Sequence, residues 1–168
     1  MNNYMKLEIA ALGENESFAR SAVAAFALCL NPSLSELSDI KTAVSEAVTN
    51  CVVHAYKKHE EGKILIECYA EKGGETEKLH IRITDYGCGI EDTDKVVAPF
   101  YTSLPSEERS GMGFTIMQAF MDDFSLESEI GKGTCVQMTK KIGVEYFQQK
   151  PESENAEQTE WTEEGANA

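Results

Sequence analysis

What this sequence lacks narrows its range before any motif is read. No apolar run approaches the roughly 18 residues of a membrane span, and Met1 to Ala10 has neither the basic start nor the long apolar core of a secretory leader. The chain is therefore expected in the cytoplasm. Its cysteines build no framework: Cys29, Cys51, Cys68, Cys88 and Cys135 are an odd, scattered set without a Cys-x-x-Cys pair or a histidine at zinc spacing, which fits reduced thiols. Basic residues are scarce. Fifteen Lys and Arg stand against 29 Asp and Glu, a formal charge of -14, and no Lys/Arg cluster offers a local exception, which argues against direct contact with nucleic acid phosphates. Also missing is the Walker A lysine motif, so the P-loop class of nucleotide binders is set aside.

What is present suits one domain. A chain of 168 residues with 42% hydrophobic content can bury a single core. Tyr4 to Ala11 alternates as a strand, with Met5, Leu7 and Ile9 on one face. Helical spacing follows through Phe18, Val23, Phe26, Ala27 and Leu30, until Asn31-Pro32 stops it. Ser33 and Glu36 form a Ser-x-x-Glu capping box that opens a long helix reaching Ala55. Lys63 to Ala70 and Lys78 to Thr84 read as a hairpin about Gly73-Gly74. A glycine-containing loop, Asp85 to Ile90, leads into a stretch of about twenty residues without clear periodicity, the mark of a functional loop or lid. A short helix, Phe114 to Met121, and two strands, Phe124 to Glu129 and Thr134 to Lys141, complete a domain expected over residues 1–143. Residues 144–168 read as an acidic, disordered tail: Pro151 to Ala168 holds six Glu, no Lys or Arg, and Trp161 as its only large apolar residue.

Four local patterns carry chemistry. On the long helix Glu46, Asn50 and His54 follow at i, i+4 and i+8, which puts them on one face; a solvated polar face would look the same. Asp85-Tyr86-Gly87-Cys88-Gly89 places an acid at a strand end before two glycines, where a carboxylate can accept from an exocyclic amine and glycine lets backbone approach a ligand. Gly111-Met112-Gly113 precedes a helix, whose N-terminus presents unpaired N–H groups and partial positive charge to a phosphate. Gly131-x-Gly133-Thr134 opens the last strand and alone reads as a hairpin turn. Each pattern is weak singly; their order is not.

That order resembles the Bergerat ATP-binding fold of DNA gyrase, histidine kinases and mismatch-repair ATPases. Within it, Ser45-Glu46-Ala47-Val48-Thr49-Asn50 with His54-Ala55-Tyr56, and Glu107 to Met117 around Ser110-Gly111-Met112-Gly113-Phe114, look like the motifs of the serine-kinase anti-sigma factors. Glu14 to Arg20 is similar to the first helix of the sporulation anti-sigma F members. The resemblance spans Met1 to about Ile142. It implies an α/β two-layer sandwich, a mixed β-sheet with helices on one face, in a protein that holds a sporulation sigma factor and uses Mg-ATP to phosphorylate a serine on its anti-anti-sigma antagonist, as a homodimer.

Carried over by position, the resemblance gives Asn50 to Mg²⁺ and Glu46 to the attacking serine hydroxyl as base or orienter. Asp85 would receive the adenine amino group with Thr134 in support through a water, and Gly87 and Gly89 would admit the base. Gly111, Gly113 and Phe114 would hold the phosphates, helped by Ser110 and Arg109, while Glu16 and Arg20 would face the partners. His54 is expected as a packed helix histidine. Three alternatives stay open: a histidine kinase fragment with His59-Glu60 as phosphoacceptor, a general-stress anti-sigma kinase, and a nucleotide-dependent binding module without kinase activity.

Overall fold

The computed structural model describes residues 3–56, 61–97 and 112–143. Strand β1, Asn3–Ala10, leads into helix α1, Asn15–Ala27, which buries Ala19, Val23 and Ala27 as a stripe at intervals of four. A single 3₁₀ turn, Leu28–Leu30, ends with Asn31 in the left-handed region at φ 51°, a conformation that asparagine tolerates, and Pro32 blocks any continuation. Helix α2, Leu34–Asn50, starts at the expected capping box: Glu36 N donates to Ser33 Oγ at 3.2 Å, and Ser33 N donates to Glu36 Oε2 at 2.7 Å. Its buried stripe runs through Ile40, Ala43, Val44, Ala47 and Val48.

Strands β2, Lys63–Glu71, and β3, Glu77–Asp85, form the expected hairpin, with Gly73 at φ 90° in the connection. Helix α3, Thr93–Val97, falls in the stretch read as aperiodic; at five residues it is too short to leave a hydrophobic period. Helix α4, Gly113–Phe120, strand β4, Asp123–Glu129, and strand β5, Gly133–Ile142, follow.

The strands lie in the order β1-β2-β3-β5-β4. Alternation along β2, β3 and β5 turns Ile64, Ile66, Leu79, Ile81, Ile83, Val136 and Met138 toward α1, α2 and α4, where they share one core with the helix stripes and with Met117. Burying each large aliphatic side chain there contributes about 1.5–3 kcal/mol. The other face of the sheet is polar, with Arg82 bonded to Gln137 and His80 set between Glu71 and Thr139. The two-layer α/β architecture is thus the expected one. The sheet itself corrects the expectation of mixed strands: every pairing among the described residues is antiparallel. The reason lies in the crossover through α4. It returns the chain parallel to β3 but one position further out, and β5 then fills the gap antiparallel to both neighbours.

A second correction concerns the end of the long helix. The α-helical ladder stops at Asn50 and gives way to a π turn, Cys51–Ala55. The wider turn changes the side-chain register, and His54, expected to pack, is exposed.

Candidate functional site

The end of α2, the start of α4 and the exit of β3 bring the separate sequence patterns to one place. Helix α4 meets α2 at its first residue. A Cβ added to Gly113 would sit 3.1 Å from Glu46 Oε2 and 3.3 Å from both Asn50 Oδ1 and Nδ2. Glu46 and Asn50, one α-turn apart, therefore flank the N-terminus of α4, and a side chain at position 113 would be a tight fit against both. The first turn of α4 directs its leading N–H groups, which have no intrahelical acceptor, toward the same end. Phe114 turns its ring away, edge-on to Phe124 at 6.1 Å. Thr115 lies in that first turn, and its Oγ1 is a buried side-chain polar atom without a hydrogen-bond partner among the described residues.

Asp85 closes β3 and is 4% exposed. Its Oδ1 accepts from Gly87 N at 3.0 Å and from Thr134 N at 3.2 Å. The buried Cys51 thiol also shares a hydrogen bond with this carboxyl. Burial pushes the Asp85 carboxyl above the usual aspartate range, against the pull of those N–H donors. The Cys51 thiol is raised well above its ordinary value, first by burial and then by the Asp85 charge. The carboxylate is thus held by two backbone N–H groups on Oδ1 and by the Cys51 thiol, and it retains acceptor capacity beyond these three donors.

The glycines around Asp85 serve close backbone packing. A Cβ on Gly87 would meet Ala55 O at 2.0 Å, and the neighbouring Cys88 N donates to that carbonyl at 2.7 Å. Gly89, at φ 72°, lies against the Glu129 carbonyl, and Gly133, at φ 107°, lies against Asp85 O. The loop is thereby seated between the π turn and the β4–β5 turn. Ser128, which the sequence patterns missed, holds this seat: its Oγ accepts from Ile90 N at 2.8 Å, donates to Gly133 O at 3.0 Å and lies 2.9 Å from Thr134 Oγ1. Strand alternation puts it on the half-buried face of β4 with Phe124 and Leu126, where a serine carries no motif to mark it.

Glu16 and Arg20 stand apart from this cluster, on α1. Arg20 Nη1 lies 3.4 Å from Glu16 Oε1 and 3.4 Å from Ser45 Oγ, which itself donates to Glu16. Ser45 precedes Glu46 on α2, so the α1 pair abuts the helix that carries the site. Arg109, Ser110, Gly111 and the expected tail, residues 144–168, lie outside the described residues.

Comparison with known proteins agrees with this geometry. Residues 9–140 match the histidine kinase-like ATPase domain family. The chain is 51% identical over 142 residues to an anti-sigma F factor of Caldanaerobacter subterraneus subsp. tengcongensis, covering 84% of this chain and 96% of that protein. It is 54% identical over 142 residues to an anti-sigma F factor of Clostridium botulinum, with the same coverage. Among solved structures it superposes on the RsbU and RsbW domains of a Mycobacterium tuberculosis protein at a TM-score of 0.58 and 17% identity, over 83% of this chain and 32% of that one. It also superposes on the mycobacterial sensor histidine kinase MprB at 0.51 and 16% identity, over 82% and 98%. These two likenesses bear on the fold. With a domain match across most of its length and relatives near 50% identity over almost their whole chains, this protein belongs to the anti-sigma F factor family, built on a histidine kinase-like ATPase domain.

Proposed function

We propose that this chain is a cytoplasmic, homodimeric anti-sigma factor and protein serine kinase, which holds a sporulation sigma factor and uses Mg-ATP to phosphorylate a serine on an anti-anti-sigma antagonist. The observation that carries the reading is the convergence of Glu46 and Asn50 on Gly113 at the start of α4, with the buried Asp85 as a second pole. Phosphoryl transfer asks a protein mainly for positioning and charge stabilisation. The residues fit an adenine nucleotide: the Asp85 carboxylate has acceptor capacity for the adenine amino group, and Thr134, whose N–H bonds Asp85 Oδ1, supports it. Gly113 and Phe114 offer N–H groups to phosphate, and the unsatisfied Thr115 hydroxyl lies in the same turn. Gly111, Ser110 and Arg109 precede them in sequence and would complete the cradle. Asn50 would hold Mg²⁺ through its amide oxygen, and the ion would supply charge neutralisation for the phosphates. Glu46 takes the proton of the serine hydroxyl as that oxygen attacks the γ-phosphoryl group and ADP leaves. Glu16 and Arg20 are the partner-facing pair. The sigma-factor and sporulation parts of the reading are supported by the name shared by relatives near 50% identity.

The test is incubation of the protein with γ-labelled ATP and the small antagonist, with and without Mg²⁺. Label on an antagonist serine, lost in its Ser→Ala form, is expected. Nucleotide binding without any transfer would leave a nucleotide-dependent binding module instead.

A further inference from the structure

We propose that the acidic segment Pro151 to Ala168 docks intramolecularly in the groove beside α1 and α2, with Trp161 against Leu34 and Leu37 and its glutamates toward Arg20 and Lys41. The groove holds about 550 Å³, and its lining contains these two cations and no carboxylate. That is unusual on a chain of formal charge -14. Arg20 shares its charge with Glu16, but Lys41 makes no ion pair among the described residues. On the apolar side Leu34 is 87% exposed at the first turn of α2, next to Leu37, which is partly buried against the core.

The occupant is argued from composition and from the chain's path. Pro151 to Ala168 carries six Glu, no Lys or Arg, and the sole tryptophan of the protein. An indole needs an apolar slot, and clustered glutamates need cations; the groove offers both side by side. The described chain ends against α2, the helix that supplies most of the groove's lining. Gly143 N donates to Glu36 Oε1 at 2.8 Å, and Glu36 lies between Leu34 and Leu37 on the first turn of α2. Seventeen residues lie between Gly143 and Trp161, and a flexible-chain estimate for that length gives a reach of roughly 23 Å, enough to return to the groove. A ligand tethered in this way meets its site at an effective concentration of about a millimolar, so modest intrinsic affinity is sufficient for occupancy. The family match ends at residue 140, so the segment is an addition to the shared domain. Any partner that needs Arg20 or Lys41 must first displace the tail, which lowers that partner's apparent affinity.

This inference does not rest on kinase activity, and its test reads neither ATP nor partners. Trp161 is its own reporter. In the full chain its emission is expected at shorter wavelength, and its quenching by acrylamide is expected to be weaker, than in a synthetic peptide of residues 151–168. Leu34→Asp and Lys41→Glu, both at exposed positions, should each move emission and quenching toward the peptide values, and salt at ~1 M, where the screening length falls to about 3 Å, should do so in part. Thermal melts followed by circular dichroism confirm that both variants are folded. A hundredfold dilution should change nothing. Emission equal to that of the free peptide overturns the proposal; so does a shifted emission that ignores both substitutions, which would seat the tail elsewhere. A shift that vanishes on dilution would assign the groove to a second copy and overturn it likewise.

Discussion

Gly143 donates its backbone N–H to Glu36 Oε1 at 2.8 Å across 107 residues, while the other oxygen of that carboxylate caps Ser33 N at 2.7 Å. One buried side chain thus ties the start of α2 to the end of β5. Glu36→Ala removes both charge-assisted bonds and strands two N–H groups, so a loss of about 2–4 kcal/mol is expected in urea unfolding. Glu36→Gln keeps one carbonyl acceptor and should lose roughly half as much. A loss below about 1 kcal/mol for the alanine form would show that water replaces the carboxylate.

Glu36 also marks how far the sequence alone reaches. The capping box was legible because Ser33 and Glu36 are three residues apart and local rules govern them; the bond to Gly143 was not, because tertiary packing creates it. The same division runs through the site. Glu46 and Asn50 were legible as one helix face, but their meeting with Gly113 depends on where α4 packs. Ser128 was invisible, since a serine on an alternating strand carries no signal. The π turn after Asn50 and the position of β5 between β3 and β4 were likewise missed, as neither alters hydrophobic periodicity.

Asp85→Asn is expected to act in opposite directions on stability and on binding. Burial raises the carboxyl in the folded state. An acid whose folded pKa lies above its unfolded value favours the fold when protonated, and that contribution fades as pH rises from the unfolded value through the folded one. At neutral pH the ionised group is therefore a liability, which the neutral amide removes while still accepting from Gly87 and Thr134. The variant should melt at or above the wild-type temperature and bind ATP at least about tenfold more weakly, because its amide turns a donor toward the adenine amino group. Unchanged ATP affinity in a nucleotide titration would reduce the loop to a structural turn.

Gly87→Ala should cost about 1–3 kcal/mol, as backbone must shift where a Cβ would lie 2.0 Å from Ala55 O. Gly74→Ala, whose nearest atom stands at 3.5 Å, is the control and should stay within about 0.5 kcal/mol. Equal melting temperatures for the two variants would mean the Asp85 loop adapts freely.

Glu46→Gln should retain ATP binding and sigma-factor binding and lose about 10²–10⁴-fold in antagonist phosphorylation, the usual contribution of a positioned general base. The amide preserves size and the approach to Gly113, so melting should change little. Single-turnover transfer at the wild-type rate would remove Glu46 from the chemistry.

Arg20→Glu separates a structural from a docking role on α1. Arg20 is half-buried and lies 3.4 Å from Glu16, with Ser45 and Ser17 as further partners. If these contacts were its whole purpose, reversal would place two carboxylates one turn apart at a cost of a few tenths of a kcal/mol to about 1 kcal/mol. A partner surface behaves otherwise, since like charges brought together at a docking contact cost several kcal/mol in affinity. The variant should therefore stay folded and bind ATP as the wild type does, for none of its contacts reaches Asp85 or Gly113. It should lose at least about thirtyfold in affinity for sigma factor and antagonist alike, the equivalent of roughly 2 kcal/mol. Melting curves, nucleotide titration and pull-downs with each partner read the three quantities separately. Retention of both partners at wild-type affinity would leave the Glu16–Arg20 pair as a local helix contact and nothing more.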